Sequence, residues 1–206
     1  EIDLKGRYKS MWRNVRIAIL LFILATVAQQ ALLKDGAPDW KRTLYVTLYP
    51  VNADGSVAAT QTISYLDVTQ FEDIEEYFAE ESAQFSLGIA KPFAVRLGSE
   101  INELPPKPSA GVFNTMLWSL HFRWWAHQNS PKTLVPADIR LYVLYYDPAN
   151  NPMLKHSTAL NKGRIGIVNV FADKSYSMQN NVIVAHELLH TVAATDKYDL
   201  SNNQPA

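Results

Sequence analysis

His186 and His190 stand four residues apart in the run Val182-Ile183-Val184-Ala185-His186-Glu187-Leu188-Leu189-His190-Thr191-Val192. No other stretch of the chain constrains its fold as tightly. A run this apolar on every side reads as a buried helix. Residues four apart lie one above the other on a helix face. Both imidazoles therefore leave the same side of a helix that has little access to water. Buried histidines need partners, and one zinc ion held by two ring nitrogens at about 2.0–2.1 Å would serve both. Glu187, one residue on, points beside that face, where it can take a proton from a zinc-bound water. The plainer alternative is a buried helix whose histidines are hydrogen-bonded to other groups.

The order His-Glu-x-x-His resembles the zincin metallopeptidases. The close resemblance covers residues 182–196, and the elements leading to them match more loosely. One zincin branch, the metzincins and their relatives, extends the motif to His-Glu-x-x-His-x-x-Gly-x-x-His/Asp. Here the extension reads Thr191-Val192-Ala193-Ala194-Thr195-Asp196, so Asp196 falls where that branch places its third ligand. The resemblance implies a three-ligand site of His186, His190 and Asp196 with a fourth position open to water. Two departures stand out. Ala193 occupies the glycine position, where the branch needs a sharp turn and alanine is strained at positive φ. No methionine follows Met178 to form the branch's methionine turn. Asp199 is a second local candidate for the third ligand. The competing reading of Asp196 is a turn residue in Thr195-Asp196-Lys197-Tyr198-Asp199.

What the resemblance implies is peptide-bond hydrolysis. Zinc acidifies a bound water, Glu187 accepts its proton as the water attacks a carbonyl, and Glu187 then delivers that proton to the leaving amine. Tyr198 is a candidate oxyanion-stabilising hydroxyl, although tyrosines near helix ends more often simply pack.

Residues Ile17 to Leu33 form an uncharged run, IAILLFILATVAQQALL, at the short end of what a bilayer core demands. Lys5, Arg7, Lys9, Arg13 and Arg16 precede it, and Trp12 stands where an interfacial aromatic would. The expected organisation is a basic cytoplasmic segment (1–16), a transmembrane signal anchor (17–33), a short linker (34–40) and a catalytic domain (41–206). The basic bias places the N-terminus in the cytoplasm and the main domain outside it. A cleaved signal peptide is the alternative, with a weak site at Thr26-Val27-Ala28. The short linker suggests peptide or protein substrates at the membrane surface, with lipid itself as a neighbour. The chain has no cysteine, which fits a bacterial periplasm better than a eukaryotic exterior. With 19 basic and 20 acidic residues and no basic block beyond the membrane flank, nucleic-acid binding has little support.

The remaining chain alternates strand and helix patterns. Thr43–Val51 reads as a strand, with Val57–Leu66 as its hairpin partner after the turn Asn52-Ala53-Asp54-Gly55. Thr69 followed by Glu72 is a capping-box signature. The helix it opens has Phe71, Ile74, Phe78 and Phe85 on one face and a solvated acidic face opposite. Pro92–Leu97 reads as a strand, and Leu104–Pro108 as a stiff connector. Val112–His127 reads as an aromatic helix whose His121 and His127, six apart, do not share a face. Trp118, Trp124 and Trp125 are core, or a surface packed on membrane or partner. His156 lies in a polar loop. Ile139–Tyr146 and Arg164–Phe171 read as strands. In zincins a strand near the second holds substrate in extended form, so Arg164–Phe171 is either that open edge or an internal strand, with Gly163 and Gly166 allowing close backbone approach.

The expectation is an α+β, zincin-like domain: a mixed sheet with an active-site helix, preceded by a single transmembrane helix and acting as a zinc metalloendopeptidase. Its rival is a catalytically inactive zincin-like accessory subunit of a membrane complex, using the tryptophan-rich helix for binding.

Overall fold

A computed structural model describes residues 4–32, 38–131, 134–199 and 204–205, with side chains for 11–27, 38–131 and 134–197. Two compact units are present, Glu1–Asp35 and Gly36–Ala206.

The described residues of the first unit form one helix, α1 (Leu4–Leu32). The expected transmembrane anchor is not supported: among the described residues no helix is long and apolar enough to cross a membrane. The reason is geometric. The helix takes in the basic positions Lys5, Arg7, Lys9, Arg13 and Arg16 rather than starting after them. The uncharged part of the described helix runs from Ile17 to Leu32, or about 24 Å at about 1.5 Å per residue. A hydrocarbon core is about 30 Å thick. Leu33 and linker positions 34–37 lie outside the described residues.

The second unit is built on a five-stranded mixed sheet in the order β2-β1-β3-β5-β4. Its strands are β1 (Leu44–Asn52), β2 (Phe93–Leu97), β3 (Ile139–Tyr146), β4 (Thr158–Leu160) and β5 (Ile165–Phe171). Neighbours are parallel except β4, which runs antiparallel to β5. Parallel strands are covered on both faces and so carry continuous apolar sequence. All seven residues of β5 are buried, and β1 and β3 are buried along most of their length.

On one face lie α2 (Val57–Ser64), α3 (Glu72–Gln84) and α5 (Ser177–Thr191), with Ile63, Phe78 and Leu188 packed against Val46, Leu141 and Val168. On the other lies α4 (Val112–Asn129). Its Trp118, Phe122 and Trp125 meet Tyr49, Tyr142 and Ile165. Phe122 is fully buried and edge-on to Tyr142, with ring centres 5.7 Å apart. Truncating such a ring costs about 3–5 kcal/mol.

Two local expectations are corrected, and one alternative left open is decided. Val57–Leu66 is not a hairpin partner. Ser56 caps a helix there by accepting from the Ala59 amide, and β1 pairs instead with β2 and β3, which arrive later in the chain. The cap before the acidic helix is Asp67, which accepts from Thr69 N and opens a 3-10 turn (Val68–Phe71) that runs into α3. Arg164–Phe171 is not an edge. It is held between β3 and β4, and the short β4 takes the outer position. Gly166 allows that pairing, since a Cβ there would meet Leu141 Cδ2 at 2.8 Å and Ala159 Cβ at 3.3 Å. The proline connector lies inside the second unit and marks no boundary.

The acidic face of α3 is solvated as expected except at Glu75. This carboxylate accepts the Val95 amide on edge strand β2 at 2.6 Å and pairs with Lys91. An edge amide occupied by a side chain is a poor template for another strand.

Candidate metal centre

The helix α5 follows β5 through the 3-10 turn Lys174–Tyr176. Its start is tied down by Asn180, which is 9% exposed. The Asn180 Nδ2 donates to the Phe171 carbonyl at 2.9 Å, and its Oδ1 accepts the Phe171 amide at 3.2 Å. One side chain thus satisfies both backbone groups at the end of β5 and fixes α5 against the sheet. From Asn180 the buried stripe continues through Val184, Glu187, Leu188 and Thr191. That is helical spacing for a core-facing side. His186 and His190 lie at the margin of the stripe, half-buried.

The two histidine Nε2 atoms are 3.0 Å apart. Asp196 Oδ1 lies 3.5 Å from His186 Nε2 and 3.4 Å from His190 Nε2. The three side chains form a group that could hold a metal ion, their ligand atoms all within 4.8 Å of one another. The spacing can be tested against geometry. A tetrahedral zinc site with bonds of about 2.0–2.1 Å has edges of about 3.3–3.4 Å. The observed 3.0, 3.4 and 3.5 Å bracket that edge. The donor set, two imidazoles and a carboxylate, is one that zinc accepts.

The chain reaches Asp196 by a turn that alanine makes at a cost. Ala193 has φ 74°, the left-handed region. Ala194 N donates to Leu189 O at 3.1 Å and Ala193 N to His190 O at 3.3 Å. These are the paired bonds of a Schellman helix end, where glycine is the usual occupant. Alanine therefore adopts the sharp turn that the zincin resemblance assigns to glycine. The turn does a second job. It places the Ala194 carbonyl 3.0 Å from His190 Nδ1. An Nδ1–H donated there leaves Nε2 with its lone pair toward Asp196 and His186, as outer-shell partners of ligating histidines do.

Glu187 is 6% exposed. Burial pushes its carboxyl up to about 7, opposed by the positive charge available at His190 and reinforced by Asp196. A carboxylate poised near neutrality can both take and return a proton.

Tyr198 and Asp199 form β6, paired with β7 (Gln204–Pro205). Their side chains lie outside the described residues. His121 and His127 are exposed on α4, and His156 is exposed in its loop. Among the described residues, His186, His190 and Asp196 are the group with metal-holding geometry. Two participants left no signal in side-chain pattern. The Ala194 carbonyl is a backbone atom, and the Asn180 clamp depends on where β5 ends.

No protein-family model matches the chain, and no curated protein is significantly similar to it.

Proposed function

We propose that this protein is a zinc-dependent peptidase of the zincin kind. The observation that carries the proposal is the convergence of His186 Nε2, His190 Nε2 and Asp196 Oδ1 within 4.8 Å, beside a buried Glu187. The three side chains would hold the ion and leave one side of it free. When bound, zinc supplies Lewis acidity, lowering the pKa of water and polarising a carbonyl. The protein's own residues do the rest. Glu187 would accept the proton of the attacking water and hand it to the departing amine. The Ala194 carbonyl fixes the His190 tautomer. The outer edge of β4 offers backbone groups to an extended peptide, and such pairing supplies affinity without sequence preference.

Elemental mass spectrometry of the purified protein, with a quenched-fluorescent peptide library assayed in parallel, tests the reading. One zinc per chain, lost in His190→Ala, together with peptide cleavage that disappears in Glu187→Gln at unchanged zinc content, is the expected result. A zinc-loaded protein that cleaves no peptide, or a Glu187→Gln variant with full activity, overturns it.

One observation favours the accessory-subunit reading alongside. Helix α4 buries Trp118 and Trp125 but leaves Phe113 at 64% and Trp124 at 63% exposure. Solvent-facing aromatics of this kind are enriched at protein interfaces. A partner bound there is compatible with an active or an inactive metal centre.

A further inference from the structure

Across the sheet from α5 there is a second built site. A cavity of about 440 Å³ opens on the α4 face of the sheet, within the range of small-molecule pockets. Its floor comes from the carboxyl-terminal parts of β1 and β3 and the middle of β5. Ala53 follows β1, Leu144 and Tyr146 close β3, and Ile167 and Asn169 lie in β5. The cavity borders β1 and β3, between which the winding of the sheet reverses, the neighbourhood where open parallel sheets bind ligands. The reversal is present here. After β1 the chain crosses to β2 over the α2–α3 face, then returns over the α4 face to place β3 on the other side of β1.

Both rims are held in place by buried polar side chains. One rim is the segment Leu104-Pro105-Pro106-Lys107-Pro108, stiffened by its three prolines. The indole of Trp118, 6% exposed, donates to the Pro106 carbonyl at 2.7 Å. The other rim is the loop carrying Lys155 and His156. Asn169, 5% exposed, donates to the carbonyls of both, at 3.3 and 3.0 Å. Ser157 Oγ meanwhile accepts the Asn169 amide at 2.9 Å. A buried amide in a strand has been spent on holding this loop over the strand ends.

The lining has a definite chemistry. Leu104, Pro105, Leu144 and Ile167 make an apolar wall, while the side chains that ionise as cations are Lys107, Lys155 and His156. No carboxylate is among the lining residues. We infer that this cavity binds a small amphipathic organic anion, an apolar body against the strand ends and a carboxylate directed at the lysines of the two rims. The inference stands apart from the metal centre, which lies on the opposite face.

The test uses two fluorescent probes on the whole protein, dansylglycine and its uncharged amide. The expected result is saturable 1:1 binding of the carboxylate, weakened on the order of tenfold or more in a Lys107→Gln/Lys155→Gln variant. The amide is expected to bind more weakly and equally to both proteins. A Thr158→Trp variant, which fills the cavity from β4, is expected to lose both probes while keeping the zinc content and thermal midpoint of the parent. Equal binding of carboxylate and amide to the parent overturns the charge assignment. Absence of saturable binding by either probe, or binding that survives Thr158→Trp in a folded protein, overturns the site.

Discussion

Helices α4 and α5 hold similar positions and have opposite outcomes. Each packs on one face of the same sheet, and each carries two histidines. On α4 the histidines are six apart and face solvent. On α5 they are four apart, and their Nε2 atoms approach to 3.0 Å. The ends of the helices differ as much as their middles. Ser130 ends α4 in an extended conformation. Ala193 ends α5 with a left-handed turn that brings a carboxylate back to the histidines. A metal-competent group needs spacing and a returning chain together, and the aromatic richness of α4 substitutes for neither.

That contrast can be broken experimentally, most severely at the ligands. His190→Ala is expected to remove stoichiometric zinc and all hydrolysis, whereas His121→Ala and His127→Ala leave both unchanged. Zinc loss in an α4 variant, measured by elemental analysis, would show that spacing is not the discriminating feature. Next in size is Glu187→Gln, expected to lower peptide turnover by about 10²–10⁴-fold at constant zinc content.

The buried carboxyl also makes a prediction about the metal-free protein. The folded pKa of Glu187, about 7, lies above its ordinary value of 4.5. Its contribution to stability is therefore full below pH 4.5 and is lost as pH rises through 7. Chelator-treated protein is expected to lose on the order of 2 kcal/mol across that interval. Glu187→Gln is expected to flatten that part of the profile, read by urea unfolding at several pH values.

The smallest effect tests the turn. Ala193→Gly removes a side chain from a left-handed position and is expected to stabilise the fold by about 1 kcal/mol, raising the thermal midpoint. A loss of stability would mean that the Ala193 methyl contributes packing worth more than the strain. The corresponding change at Ser130, where the backbone is extended, is expected to destabilise.

The parts of this molecule that were legible from sequence are those written in period and spacing. The positions of β3, β5, α4 and α5 follow from apolar runs, and the ligand group follows from His186, His190 and Asp196 at fixed intervals. The parts that were not legible depend on distant partners. Val57–Leu66 looks like a strand because its residues suit one. It is a helix because Ser56 caps it and because β1 finds parallel neighbours much later in the chain. Arg164–Phe171 carries no mark of being internal, since only the three-residue β4 outside it decides that. The membrane expectation failed on length: the uncharged part of the described helix, Ile17–Leu32, is shorter than a bilayer core. The Ala194 carbonyl was invisible because backbone acceptors have no residue code.

Asn180 has a consequence for how this chain can change. By gripping both backbone groups of Phe171, it sets the rotational phase of α5 before the first histidine is reached. Residues added between Phe171 and Asn180 enlarge a surface turn, and the helix is re-indexed at the clamp. A single residue added between Asn180 and His186 turns everything downstream by about 100° and carries the imidazoles off their face. The connection before the clamp is thus free to drift in length, whereas the six-residue interval after it is as fixed as the motif itself.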